Sequence, residues 1–337
     1  MSSLWRPALL LWRQASGQKR DLLRGLVALG AILLLAIVIS PKTFDGSRIF
    51  LELGNLTDIL RQVSIVGIIS LAMTFVILTS GIDLSVGSIL ALSTTVVALL
   101  VTRWQPALSY PSHIALAILA ALAVSTAAGA LSGSVIAVFD VQPFVVTLAG
   151  MIGIRGLAKW LSNNANVDIG FGQDVAAVFA AALRGKAVTI GCYFGLAVAF
   201  AILLSRTVFG RHVRAIGDNE RAARYAGLPI WRVKFLVYSL SGLLSGVAGV
   251  LYAAENHQGN PNSGVAYELD AIAAVVIGGT QLSGGRGSIP GTIIGTLMVG
   301  VLTNMLRLNN VDSNVEMMIK AVIIVLAVAI QKQRKEE

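Results

Sequence analysis

One grouping of polar residues interrupts a long apolar run at Ile77–Ser88, ILTSGIDLSVGS. Asp83 is the only acid in it, and Thr79, Ser80 and Ser85 place hydroxyls close by. A carboxylate among hydroxyls can hydrogen-bond a polyhydroxylated solute, which makes these four residues candidates for a substrate pathway. The same groups have other uses. Ser and Thr hydroxyls commonly bond their own helix backbone. Asp83 could cap a helix beginning near Leu84 from within a tight turn. It could also be the titrating group of an ion-coupled secondary transporter, since an ionisable residue at membrane depth is costly and usually functional.

A second interruption has the same character: Val276–Ser288, VIGGTQLSGGRGS. Both stretches follow from Val-Ile, pass through small and polar residues and end Gly-Ser, as an internal repeat would. Gly-rich backbone at membrane depth is tolerated only where it is buried in protein or lines a water-filled cavity. Paired breaks in the two halves of a transporter point to a translocation path.

Enzymatic chemistry finds no comparable support. The phosphate-cradling pattern G-x-x-x-x-G-K-[ST] is missing. Leu282-Ser283-Gly284-Gly285 mimics the signature of ABC ATPase domains, but without a Walker lysine or a soluble domain it reads as a glycine-rich turn between short spans. Gly-x-Ser-x-Gly does not occur. His113, His212 and His257 are scattered and Cys192 is the only cysteine, so neither a metal cluster, another cofactor nor a disulfide is expected. No residue is assigned a catalytic role.

The longest charged stretch runs from Arg206 to Lys234. In it Asp218 or Asn219 can cap a short helix through Glu220, Arg221, Ala222, Ala223, Arg224 and Tyr225. Glu220 and Arg224 pair at i,i+4. Gly227 stops the helix, and Pro229 prevents its continuation. A plain connector does not need an alanine-rich helix with start and stop signals, so the segment reads as a surface for a partner. Of the remaining charges within apolar runs, Glu316 and Lys320 pair on one helical face, while Arg155 is either a pore residue or one that snorkels or binds carbonyls at a helix end.

These elements need a scaffold, and composition specifies it. The 337 residues are 55% hydrophobic and only 13% charged, with a mean hydropathy of +0.78. A soluble chain carries about 25% charge, so the bilayer must be the solvent. The expected fold is an all-α polytopic bundle of about ten spans, at roughly 20 residues each. They fall near 22–40, 56–78, 84–102, 113–138, 143–161, 187–206, 233–254, 269–281, 289–307 and 316–331, with broken or short spans near 77–88 and 276–288. The transmembrane domain is 22–331, with a loop at 207–232, an N-terminal segment 1–21 and a tail 332–337. The charge of +9 fits cytoplasmic loops and anionic lipid headgroups rather than nucleic acid. Lys and Arg are dense before the first span, in the 206–234 loop and in the tail, which an even number of spans places together on the cytoplasmic side. Lys42, Arg48, Arg61, Arg103, Arg184 and Lys186 fall on the opposite side and weaken the asymmetry. That side also holds Asn163, Asn164, Asn166 and Asp168, and a Gly-, Pro- and Asn-rich loop from Glu255 to Asp270.

Three stretches carry a family likeness. GRHVRAIGDNERAARYAGLPIWRVK resembles the cytoplasmic coupling segment of permease subunits in bacterial ribose-type sugar ABC importers. ILTSGIDLSVGSILAL and YELDAIAAVVIGGTQLSGGRGSIPGTIIG are similar to that family's other hallmarks, and the likeness runs from about Asn55 to the end. The resemblance implies two permease subunits forming a pathway, a cytoplasmic ABC ATPase that grips Asn219–Gly227, and a periplasmic binding protein that delivers a monosaccharide. It places Thr79–Ser88 in the translocation region and the protein in the bacterial inner membrane.

Overall fold

The computed structural model describes residues 6–104, 106–170 and 174–336. Among them are thirteen α-helices: α1 (Arg6–Ile39), α2 (Leu53–Leu78), α3 (Val86–Arg103), α4 (Tyr110–Phe139), α5 (Pro143–Leu161), α6 (Val175–Leu183), α7 (Lys186–Arg206), α8 (Val208–Asp218), α9 (Glu220–Tyr225), α10 (Ile230–Asn256), α11 (Tyr267–Ile277), α12 (Ile289–Leu308) and α13 (Ser313–Glu336). Two two-residue strands, β1 (Val167–Asp168) and β2 (Gln258–Gly259), pair antiparallel. Helices dominate because hydrocarbon offers no partner to a free backbone N–H or C=O.

Among the described residues, eight helices are long and apolar enough to cross a membrane: α1 from Leu22, α2, α3, α4, α5, α7, α10 and α12. They coincide with eight of the expected spans. The tenth expected span lies within α13, and the ninth is the short α11, with 11 residues. Prolines sit in the first turn of α4, α5 and α12, where a missing N–H costs nothing.

Helices α2, α3 and α10 form the centre, with 78% of the α2 span buried against 11% for α5. Hydrophobic burial cannot hold helices together in lipid, so close backbone packing must. The α4–α10 crossing shows how. Gly129 lies so close to the Tyr238 carbonyl and to Gly242 that a Cβ would collide, and a Cβ on Gly242 would meet the Ser125 carbonyl. Polar ties add to this packing: Thr74 and Thr292 join α2 to α12 at 2.7 Å, and Tyr193 joins α7 to Thr296 of α12 at 3.0 Å. Asn55 and Asn304 exchange amide bonds at 3.2 and 2.8 Å.

The loop expected from Glu255 to Asp270 does not stay at the bundle's end. After β2 the chain enters the bundle as a run of turns along α3, closed by bonds such as the Ser263 N–H to the Asn260 carbonyl at 3.0 Å. Thr94 donates to the Asn260 carbonyl at 3.2 Å, and Gly264 packs against Gly87, near the start of α3. From Ala98, beside Gly259, to Gly87 is about 16 Å of helix at 1.5 Å per residue. The ninth crossing is therefore part turns and part α11. Carbonyls of the non-helical part find partners in Thr94 and Arg155, which is what makes it tolerable at depth.

Candidate functional site: the charged loop and the two breaks

The charged loop folds into two helices. Thr207 starts α8 by accepting from the Gly210 N–H at 3.2 Å. Val213 and Ile216 are buried, turning one face of α8 onto the bundle. Asn219 starts α9 by accepting from the Ala222 N–H at 3.0 Å. Asp218 is the last residue of α8 and does not cap α9. Gly227 ends the turn at φ +77°, and the Gly227 and Leu228 N–H groups return to the Arg224 and Ala223 carbonyls. Left-handed backbone at that position favours glycine. Glu220 receives Lys234 at 2.9 Å and Arg224 at 3.4 Å. The first bond ties α9 to the start of α10, and Lys234 is itself buried. Tyr225 is 93% exposed. A groove of about 460 Å³ is lined by Glu220, Arg221, Arg224 and Tyr225 of α9 and by Asp140 of the α4–α5 connection.

At the first break, Asp83 is completely buried. Its carboxylate accepts the Ser85 N–H at 2.9 Å, the Ser85 hydroxyl at 2.6 Å and the Ser241 hydroxyl of α10 at 2.6 Å. Asp83 thus ties the approach to α3, which begins at Val86, to α10. Thr79 turns back to the Val76 carbonyl at 2.8 Å. Thr147 of α5 donates to the Ile82 carbonyl at 3.1 Å. Thr79, Asp83 and Ser85 are buried among protein partners, while Ser80 reaches outward to other segments.

The second break is the turn between α11 and α12, where Gly279, Gly284 and Gly285 all have positive φ. It touches the first: the Gly285 N–H donates to the Leu78 carbonyl at 3.0 Å, and Ser80 donates to the Ser283 carbonyl at 2.8 Å. Both breaks, α8 and α9 thus meet at one end of the bundle.

The chain matches the model of a family described as branched-chain amino acid transport system / permease component over residues 55–328. It is 40% identical over 315 residues to the ribose import permease protein of Escherichia coli (strain K12), covering 93% of this chain and 94% of that one. It is 41% identical over 292 residues to the ribose import permease protein of Bacillus subtilis (strain 168), covering 85% and 87%. It is 36% identical over 316 residues to the fructose import permease protein of Rhizobium meliloti, covering 90% and 85%. The chain belongs to this permease family. It is an all-α, multi-pass membrane protein, the permease component of an ABC importer and not an enzyme.

Within the permease the remaining candidates find defined places. Arg155 of α5 donates to the Pro261 carbonyl at 3.1 Å and the Ser263 carbonyl at 2.7 Å. It binds carbonyls, of the turns before α11 rather than of a helix end. As the thirteenth residue of α5 it stands about 18 Å along that helix, well inside the bundle. Glu316 and Lys320 do pair, at 3.0 Å, within a larger network: Lys320 also reaches Asp270 of α11 at 3.1 Å, and Arg307 of α12 reaches Glu316 at 3.2 Å. On the far end of the bundle Arg61 pairs with Asp58 and Glu255, and Lys186 pairs with Asp58. Two of the six basic residues on that side are thereby engaged in ion pairs.

Little in the residue pattern points to Asp140, to α8 or to the bond that Lys234 makes. For α8 a signal existed: Thr207 as a start residue and the spacing of Phe209, Val213 and Ile216. Asp140 and Lys234 become visible only when separate elements are brought together.

Proposed function

We propose that this permease is the transmembrane subunit of an ATP-driven ABC importer that moves a monosaccharide delivered by a periplasmic binding protein. The observation that carries the proposal is the α8–α9 platform. It presents a groove lined by two acids, two arginines and an exposed tyrosine, and it is braced to α10 through Glu220 and Lys234. A cytoplasmic ABC ATPase is the partner that such a platform serves. The family description mentions amino acids, but the similar permeases quoted above are named for ribose and fructose, which supports a sugar as cargo. A second permease subunit completes the pathway, with lipid around it. The protein sits in the bacterial inner membrane with both termini and the 207–232 loop in the cytoplasm. The transmembrane domain spans 22–331, between a terminal segment at 1–21 and a tail at 332–337. Thr79, Ser80, Asp83 and Ser85 belong to the inner end of the pathway, and Asp218–Arg224 with Gly227 form the coupling segment.

Transport by this route needs two global states that the ATPase biases differently. Closure of the ATPase dimer displaces α8 and α9, and the helices that flank them, α7 and α10, tilt. The test is uptake into proteoliposomes that hold the permease, its ATPase and the binding protein. Uptake should require ATP and both partners, and Glu220→Gln should lower it while the assembled complex persists. Uptake driven by an ion gradient without ATP would overturn the proposal.

A further inference from the structure

Ser80 is a serine at φ +60°. Left-handed backbone is strained for a side-chain-bearing residue, and glycine is the usual solution. Gly81, its neighbour, shows that glycine was available to this turn. What the serine adds is a hydroxyl. That hydroxyl lies 2.8 Å from the Ser283 carbonyl in the second break and 3.3 Å from the Gly217 carbonyl at the end of α8. One O–H is shared between two segments that are 137 and 203 residues away in sequence.

The surrounding backbone is interlocked. The Gly285 N–H donates to the Leu78 carbonyl at 3.0 Å. A Cβ on Gly217 would run into that same carbonyl oxygen and into the Gly285 nitrogen. A Cβ on Gly284 would strike the Ser80 hydroxyl, and one on Gly285 would strike the Asp218 carboxylate. Three stretches of chain thus approach closer than side chains allow: the end of α2, the end of α8 and the turn before α12. Asp218 is followed directly by the Asn219 cap of α9, so only one residue separates this junction from α9. On its other side the junction is continuous with α11, whose far end joins the turns held by Arg155.

We propose that Ser80 is a positioning residue that ties the partner-facing α8–α9 segment to both interrupted spans. Displacement of the platform then moves the 79–85 and 278–288 turns as one body and, through α11, reaches the non-helical part of the ninth crossing. This inference rests on the importer reading above and adds a route to it: motion enters the pathway directly at the breaks as well as by tilting of α7 and α10. The two discrete arrangements that coupling requires are the junction before and after the platform moves.

The test uses the complete transporter, permease with ATPase and binding protein, in proteoliposomes. Ser80→Gly removes the hydroxyl and suits the positive φ, so the fold and the backbone contacts of the junction are preserved while the side-chain tie is lost. Ser80→Asn tolerates the same φ and returns a donor, and the exposure of residue 80 leaves room for it. The readout is solute carried per ATP hydrolysed. A neutral hydrogen bond is worth about 1 kcal/mol, or about fivefold in an equilibrium. Ser80→Gly is expected to lower solute per ATP about fivefold with ATP turnover retained, and Ser80→Asn to recover most of it. A purely structural role would change the amount of complex and not this ratio. Spin labels at Arg221 and Arg286 supply a second readout. Their separation should stay narrow in wild type with and without ATP and broaden in Ser80→Gly. Wild-type solute per ATP and an unchanged distance distribution in Ser80→Gly would overturn the tie. Failure of wild type to couple uptake to ATP would instead overturn the importer reading.

Discussion

Replacing Asp83 separates two roles that its position allows. The carboxylate receives three protein donors, the Ser85 N–H, the Ser85 hydroxyl and the Ser241 hydroxyl, at 2.9, 2.6 and 2.6 Å, and has no exposed surface. Asp83→Ala strands all three. An unsatisfied buried donor costs about 1–3 kcal/mol. The two hydroxyls can rotate toward helix carbonyls, but the Ser85 N–H has no such freedom, so a net loss of about 3 kcal/mol is expected. Asp83→Asn keeps a carbonyl oxygen for Ser85 and offers an N–H to the Ser241 oxygen, so the loss falls to about 1 kcal/mol. Denaturation of the purified permease in detergent measures stability, and ATP-driven uptake in proteoliposomes measures function. Asp83→Ala should unfold well before wild type, while Asp83→Asn should fold and retain most of its uptake. An Asn variant as stable as wild type yet devoid of uptake would refute the structural assignment, because only the lost charge or proton would then explain it.

Other outcomes follow from the same geometry. Gly227→Ala forces a side chain into φ +77°, costs about 1 kcal/mol, and should weaken ATPase association measured by co-purification. Arg155→Met leaves the Pro261 and Ser263 carbonyls without their donor; a loss of about 2–4 kcal/mol in detergent denaturation is expected, with increased proteolysis in the 258–266 segment. Lys320→Met leaves Asp270 and Glu316 facing each other without their shared cation and should lower stability, whereas adding Asp270→Asn should recover part of it in a double-mutant cycle. Gly129→Val drives a side chain into the Tyr238 carbonyl and should abolish folded protein in membranes, read by fluorescence-detected chromatography.

Long apolar runs made the helical crossings legible, because a span needs about 20 apolar residues whatever it packs against. Start and stop signals around Asn219 and Gly227 located α9 for the same local reason. Asn219, rather than Asp218, is the residue that caps it, since Asp218 is still part of α8. Non-local facts were not legible. The stretch from Glu255 to Asp270 has the composition of a surface loop, yet Arg155 and Thr94 draw its middle into the bundle by satisfying its carbonyls. The sequence shows two breaks with similar composition, but it cannot show that Leu78 and Gly285 touch. Glu220 was paired correctly with Arg224, while its shorter bond to Lys234 depends on how α10 leaves the loop.

The central claim is that the α8–α9 platform faces the cytoplasm and is grasped there by an ATPase. Tyr225→Cys in a Cys192→Ser background tests it most directly, since residue 225 is 93% exposed and Cys192 is the only native thiol. The thiol should resist a membrane-impermeant maleimide in intact cells, react in inside-out vesicles, and cross-link to the ATPase with loss of uptake. Labelling from outside intact cells, or free uptake with the cross-link in place, would contradict the account.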